Sequence, residues 1–254
     1  MKTYLARLIA VLALALSVGN TYALDQSAVK QVAKPIEVNI SGTRILIPEP
    51  KNYSDPSSMM PAIRQFGENM TASTNRLLSF FMSDDDVKAL LAQSAPQLHR
   101  YFMVQTLRAA EGVNMSEREY GMVRDQLKNQ YKKLFDENAA RMQTEIDMAV
   151  DRLKKDSKSP QAKELSLKLG EMKVLDVIGD DSYVSLIAKT LVQANVNGEL
   201  KQIPMVMGLT NTMVKGKILY FFAYARLNSD EDIDWIKSQT AAWLPSLFAA
   251  NKVQ

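Results

Sequence analysis

The sequence predicts an α+β fold: a mostly antiparallel β-sheet ending in a meander, covered by helices that include one long amphipathic helix. Three observations carry this prediction. From Leu165 to Arg226, strand-length apolar runs alternate with turn signals. From Ser116 to Lys155, apolar residues recur at three- and four-residue steps with charged residues between them. From Asp230 onward, a cluster of acids opens a second stretch with helical spacing. The chain has 254 residues, 46% hydrophobic and 23% charged, which suffices for one core without disulfide or metal staples.

Met1 to Ala23 reads as a cleaved secretory signal. Lys2 and Arg7 supply the positive start, Leu8–Val18 the apolar run, and Thr21-Tyr22-Ala23 the small residues before the cut. The run is too short for a comfortable membrane span. Without Lys2 and Arg7 the chain holds 29 basic and 28 acidic residues, a net charge of +1. That balance offers no nucleic-acid footprint. The expected organisation is a signal at 1–23, a polar lead-in at 24–34 and a single α+β domain at 35–254. The expected location is the periplasm, with no stable membrane span after cleavage.

Ile36–Ile40 and Thr43–Ile47 alternate about Ser41-Gly42 and predict a β-hairpin ending at Pro48. Pro48, Pro50, Pro56 and Pro61 mark a loop, and a short amphipathic piece follows from Met60 to Met70. Leu77–Met82 is a continuous apolar run, read as a buried strand. Ser83 caps a helix whose first turn carries Asp84, Asp85 and Asp86, whose buried face is Val87, Leu90 and Leu91, and which Pro96 ends. Tyr101–Leu107 reads as a strand.

Ser116 and Glu119 form a capping box for the long helix. Its stripe is Tyr120, Val123, Leu127, Tyr131, Leu134, Met142, Ile146, Ala149 and Leu153. The stripe suits packing on the sheet; self-association is the alternative. A polar connector covers 154–163. Alternation then runs from Leu165 through Val177, Gly179-Asp180-Asp181 turns the chain, and Tyr183–Gln193 is a strand. Asn197-Gly198 makes a hairpin turn, Ile203–Met213 returns, and Lys215-Gly216 leads into Ile218–Arg226. That last strand is apolar on both sides, so it is central. Ser229 caps the closing helix, which Pro245 kinks or ends.

The absence of Cys removes thiol catalysis, iron–sulfur clusters and zinc ribbons, and a single His removes the multi-histidine metal sites. His99 has no Gly-x-Ser-x-Gly elbow to serve and reads as a surface or strand-edge residue. The acids at 84–86 and at 230–234 lack the EF-hand ligand layout, and helix N-terminal charge accounts for them. Methionine is abundant, 14 in all, with Met205 and Met207 on one strand face. Copper(I) would suit thioethers, but no His or Cys stands beside them, and Met is a usual filler of irregular cores or greasy grooves. No cofactor, metal site or catalytic residue is expected. Met205, Met207, Tyr220, Phe222, Tyr224 and Trp235 form the candidate ligand or partner groove, with ordinary core packing as the alternative.

The hairpin ending in Ile45-Leu-Ile47-Pro48, the Tyr53-x-Asp55-x-Ser57 loop, the strand before the long helix, and the meander and closing helix after it carry a resemblance. The sequence resembles the PsbP-type α/β/α sandwich of photosystem extrinsic proteins, Ran-binding Mog proteins and a periplasmic phage-sensitivity protein. The long helix exceeds what that fold leads one to expect. The resemblance implies a binding or assembly factor without catalytic residues, so no site is carried over. The expected function is a soluble periplasmic, non-catalytic binding or envelope-assembly protein with an envelope protein or peptide as partner. A carboxylate-dependent hydrolase and a carrier of an apolar ligand are the alternatives.

Overall fold

The computed structural model describes residues 34–156, 164–196 and 199–252. The expected signal, the lead-in up to residue 33, connector residues 157–163 and the Asn197-Gly198 turn lie outside the described residues.

The first hairpin pairs β1 (Ile36–Ile40) with β2 (Thr43–Ile47) from Ile36↔Ile47 to Ile40↔Thr43. Ser41 and Gly42 have φ of 46° and 87°. Positive φ at both central residues suits the right-handed twist of the flanking strands. The remaining strands are β3 (Tyr53–Ser54), β4 (Asn75–Ser83), β5 (Arg100–Leu107), β6 (Ser166–Leu169), β7 (Lys173–Gly179), β8 (Tyr183–Val196), β9 (Glu199–Val214) and β10 (Lys217–Arg226). They form one antiparallel sheet in the order β3-β4-β5-β10-β9-β8-β6, with β7 also paired to β8. The helices are α1 (Pro61–Met70), α2 (Asp84–Leu91), α3 (Glu117–Asp156) and α4 (Asp230–Asn251). The chain is thus α+β with a mostly antiparallel sheet, and β10 is central, as its two apolar faces predict. Among the described residues no helix is long and apolar enough to cross a membrane.

Two local expectations are corrected and a third is narrowed. Pro96 does not end α2. The helix stops at Leu91 because Gln93 adopts a left-handed φ of 56°, and the amides of Gln93 and Ser94 close back on the carbonyls of Leu90 and Ala89 at 3.0 and 2.7 Å. The alternation from Leu165 to Val177 is not one strand. It breaks after Leu169, and β6 and β7 pair with successive stretches of the same neighbour, Val192–Asn195 and Val184–Lys189 of β8. At the break, Gly170 donates to the Leu191 carbonyl at 2.8 Å, and a Cβ there would meet that oxygen at 2.8 Å. Pro204 lies inside β9, where a central strand excludes proline. It is tolerated because β10 has already ended opposite Met205. Pro245 does not end α4, which continues to Asn251. Trp243, Leu244 and Leu247 are buried on either side of it and hold the last turns against the sheet.

One face of the sheet carries Phe81, Phe102, Phe221, Ala223 and Val206, sealed by α4 and the β1–β2 hairpin. The other carries Leu77, Phe80, Met82 and Met103 beneath α1 and α2. α3 rises about 60 Å at 1.5 Å per residue. Its capping box forms: the Ser116 amide donates to Glu119 Oε2 at 2.8 Å and the Glu119 amide to Ser116 Oγ at 3.3 Å. Its stripe, however, is not buried along its length. Tyr120, Ala149 and Val150 are buried, whereas Val123, Leu127, Tyr131, Met142, Ile146 and Leu153 keep some exposed surface. The side chain of Leu134 lies outside the described residues.

Polar ties fix α3 where apolar contact is thin. Tyr120 Oη donates to the Asn211 carbonyl at 2.9 Å, and Arg124 grips Asp181. Arg152 donates to the carbonyls of Asn69 and Thr71 at 2.8 Å, and Glu145 accepts from Ser73. Gln143 serves as a substitute strand for the β6 edge, donating to the Leu167 carbonyl at 3.0 Å and accepting from the Leu169 amide at 2.9 Å.

Candidate functional site

Strand parity decides which candidate residues meet. Tyr220, Phe222 and Tyr224 alternate along β10, and across β9 Tyr224 faces Met207 and Arg226 faces Met205. Met205, Met207, Tyr220, Phe222 and Tyr224 therefore share one face of the sheet. All five keep part of their surface exposed. Trp235 does not join them. It lies on α4 against the opposite face, stacked 5.2 Å from Phe102, with the Arg100 guanidinium 4.8 Å from its ring. Helical spacing from Ser229 turns Trp235 toward Tyr53 and Phe102, on the face opposite Tyr220, Phe222 and Tyr224.

The shared face holds a longer feature that the sequence does not disclose. Six rings follow one another from helix to sheet centre: Phe66 on α1, Phe80 on β4, Tyr101 on β5, then Tyr224, Phe222 and Tyr220 on β10. Successive centroids lie 5.8, 5.7, 4.8, 6.1 and 6.4 Å apart. These spacings fall within the range of favourable ring contacts. Phe80 is buried, while the β10 rings retain accessible surface. Burial pushes the hydroxyls of Tyr101 and Tyr224 far above the usual phenol range. Tyr101 was assigned only to a strand by its sequence, and its part in this chain of rings follows from the pairing Tyr224↔Tyr101.

The ring series ends beside polar groups. Gln105 and Asn211 pair on either side of Tyr220 and are nearly fully buried. Gln105 accepts from Asn75 at 2.8 Å. Neither the oxygen nor the nitrogen of the Asn211 amide has a well-formed hydrogen bond, although the Tyr220 hydroxyl stands beside it.

The acidic residues serve the backbone. Ser83 Oγ accepts from the Asp86 amide at 3.1 Å, capping α2. Asp86 accepts from the amides of Gln97 and Leu98 and from the Ser83 hydroxyl. In the Tyr53-x-Asp55-x-Ser57 loop, Asp55 accepts from the amides of Ser57 and Phe80 at 2.8 and 3.0 Å, stapling the loop to β4. Burial, then the charges of Asp55 and Asp84, raises the Glu49 carboxyl above its usual range against an opposing hydrogen bond from the Asp55 amide. Among the described residues no group of three or more His, Asp or Glu is placed to hold a metal ion. His99 is exposed next to the start of β5.

Asp232 is buried against Arg100 at 2.8 Å. Burial alone would raise its carboxyl, but hydrogen bonds from Arg100, Asn228 and Ser229 outweigh this and hold it below 3.8. A depressed carboxylate contributes stability above its unfolded value, and that contribution disappears as pH falls through the folded value. Asp232→Asn is therefore expected to be less stable than the parent chain at pH 7. The gap should narrow in urea titrations as pH falls below 3.8.

No family model matches this sequence, and no curated protein is significantly similar to it.

Proposed function

We propose that this is a periplasmic, non-catalytic binding protein whose ring-lined sheet face takes an apolar ligand. The observation that supports the reading best is the run of rings from Phe66 to Tyr220 with Met205 and Met207 beside it, partly accessible at the centre of the sheet. Aromatic rings supply large apolar area at little entropic cost, and thioethers adapt to irregular ligand shapes. Burying about 200 Å² of ligand on such a face is worth about 5 kcal/mol before the cost of association. Helices on both faces of the sheet are in keeping with the α/β/α resemblance, whose members are binding and assembly factors. Mass spectrometry of secreted protein tests the location, with a mature chain starting at Leu24 expected.

The binding reading is tested with N-phenyl-1-naphthylamine, an apolar dye that brightens when it leaves water. The chain from Leu24 is expected to bind it saturably. Met207→Lys, which places a charge on the face, should weaken binding at least tenfold while far-UV circular dichroism stays unchanged. Equal dye binding by Met207→Lys and the parent chain would remove the face from consideration.

A further inference from the structure

We infer that the ligand of this face ends in a neutral amide, which docks on the side chain of Asn211. The inference rests on the proposed binding face and deepens it. Asn211 sits at the end of the β10 ring series, directly across from Tyr220. The residue is 2% exposed, and both polar atoms of its side chain lack a well-formed partner. Native proteins rarely leave such groups unmet, so each one calls for an explanation. The backbone of Asn211 is already engaged, since its carbonyl accepts from Tyr120 Oη. The free capacity therefore belongs to the side chain alone.

The chemistry of that capacity selects the ligand end. The Asn amide offers one acceptor and an NH₂ donor. A primary or secondary amide complements both at once. A carboxylate would meet only the donor and would set its charge against the Asn211 oxygen. An ammonium would meet only the acceptor. Gln105, the other buried amide of this row, is already engaged with Asn75, so it does not compete for the ligand. Tyr220 is half-buried and pairs directly with Asn211 across the strands, and its hydroxyl makes no well-formed bond to the amide beside it. It is the group that a ligand's end would displace, while the ligand's body lies along Phe222 and Tyr224 next to Met207.

The test compares two compounds of similar size and shape, 2-naphthamide and 2-methylnaphthalene, as displacers of N-phenyl-1-naphthylamine. The parent chain should prefer the amide by about tenfold, the value of one net hydrogen-bonded pair. In Asn211→Leu the ratio of the two displacers should fall to about one, whatever its affinity for the dye. The side-chain NH₂ resonance of Asn211 in the unmodified protein should shift with 2-naphthamide and not with 2-methylnaphthalene, which decides the matter even where the variant does not fold. Equal displacement by the two compounds, a preference that survives in Asn211→Leu, or an unmoved NH₂ resonance overturns the inference and leaves the apolar face standing. A capped aromatic peptide that displaces the dye more strongly than 2-naphthamide assigns the face to a protein partner and also overturns it. Failure of the dye itself to bind removes both proposals.

Discussion

Trp243→Ala lowers the unfolding free energy by about 3–5 kcal/mol, the usual cost of removing a large buried aromatic. The indole is 3% exposed and stacks on Phe221 with centroids 4.0 Å apart and planes 10° from parallel. Its Nε1 donates to the Pro48 carbonyl at 2.8 Å, so a single side chain ties α4 to the central strand and to the end of the first hairpin. Trp243→Phe keeps most of the stacking and loses the hydrogen bond, so its cost should be about 1–2 kcal/mol. Urea denaturation of both variants checks the order. A loss below about 1 kcal/mol for Trp243→Ala would mean that α4 is not docked on Phe221.

Asn251→Ala is the second large effect, on the order of 3 kcal/mol, because three backbone groups lose their partner together. Asn251 Oδ1 accepts from the Leu46 amide at 2.9 Å, while Nδ2 donates to the carbonyls of Leu46 and Leu247 at 2.7 and 2.8 Å. The amide thus completes the β2 edge as another strand would, in the manner of Gln143 at β6. Loss of Asn251 should speed hydrogen exchange at the Leu46 amide well beyond any change at Phe221 on the central strand. Uniform acceleration at both positions would mean that Asn251 acts on global stability and not on the hairpin edge.

The fold class was legible because its signals are local. Alternation and turn dipeptides mark the hairpin and the meander, and the Ser116–Glu119 box marks the start of α3. Element ends were less legible. A left-handed Gln93 terminates α2 without Gly or Pro, and the split between β6 and β7 is made by contact with Leu191, far away in sequence. Five of the six candidate groove residues share a face because strand parity can be read from spacing. Trp235 was misplaced because aromatic content near the C-terminus says nothing about which face of the sheet a helix covers. Tyr101, Phe66 and Asn211 reach the site only through strand pairing and helix packing. Lys217, fully buried with its ammonium donating to the carbonyls of Glu111 and Val113, also depends on tertiary contacts that no motif announces.

The central claim is that the face lined by β9 and β10 binds apolar ligands, and the methionines report on it directly. With methyl-¹³C methionine in the chain, titration with N-phenyl-1-naphthylamine should shift the Met205 and Met207 methyl signals saturably. The signals of Met59 and Met122, which are 49% and 59% exposed elsewhere on the surface, should stay in place. Shifts centred on Met59 or Met122, or no saturable shift at Met205 and Met207, would contradict the account.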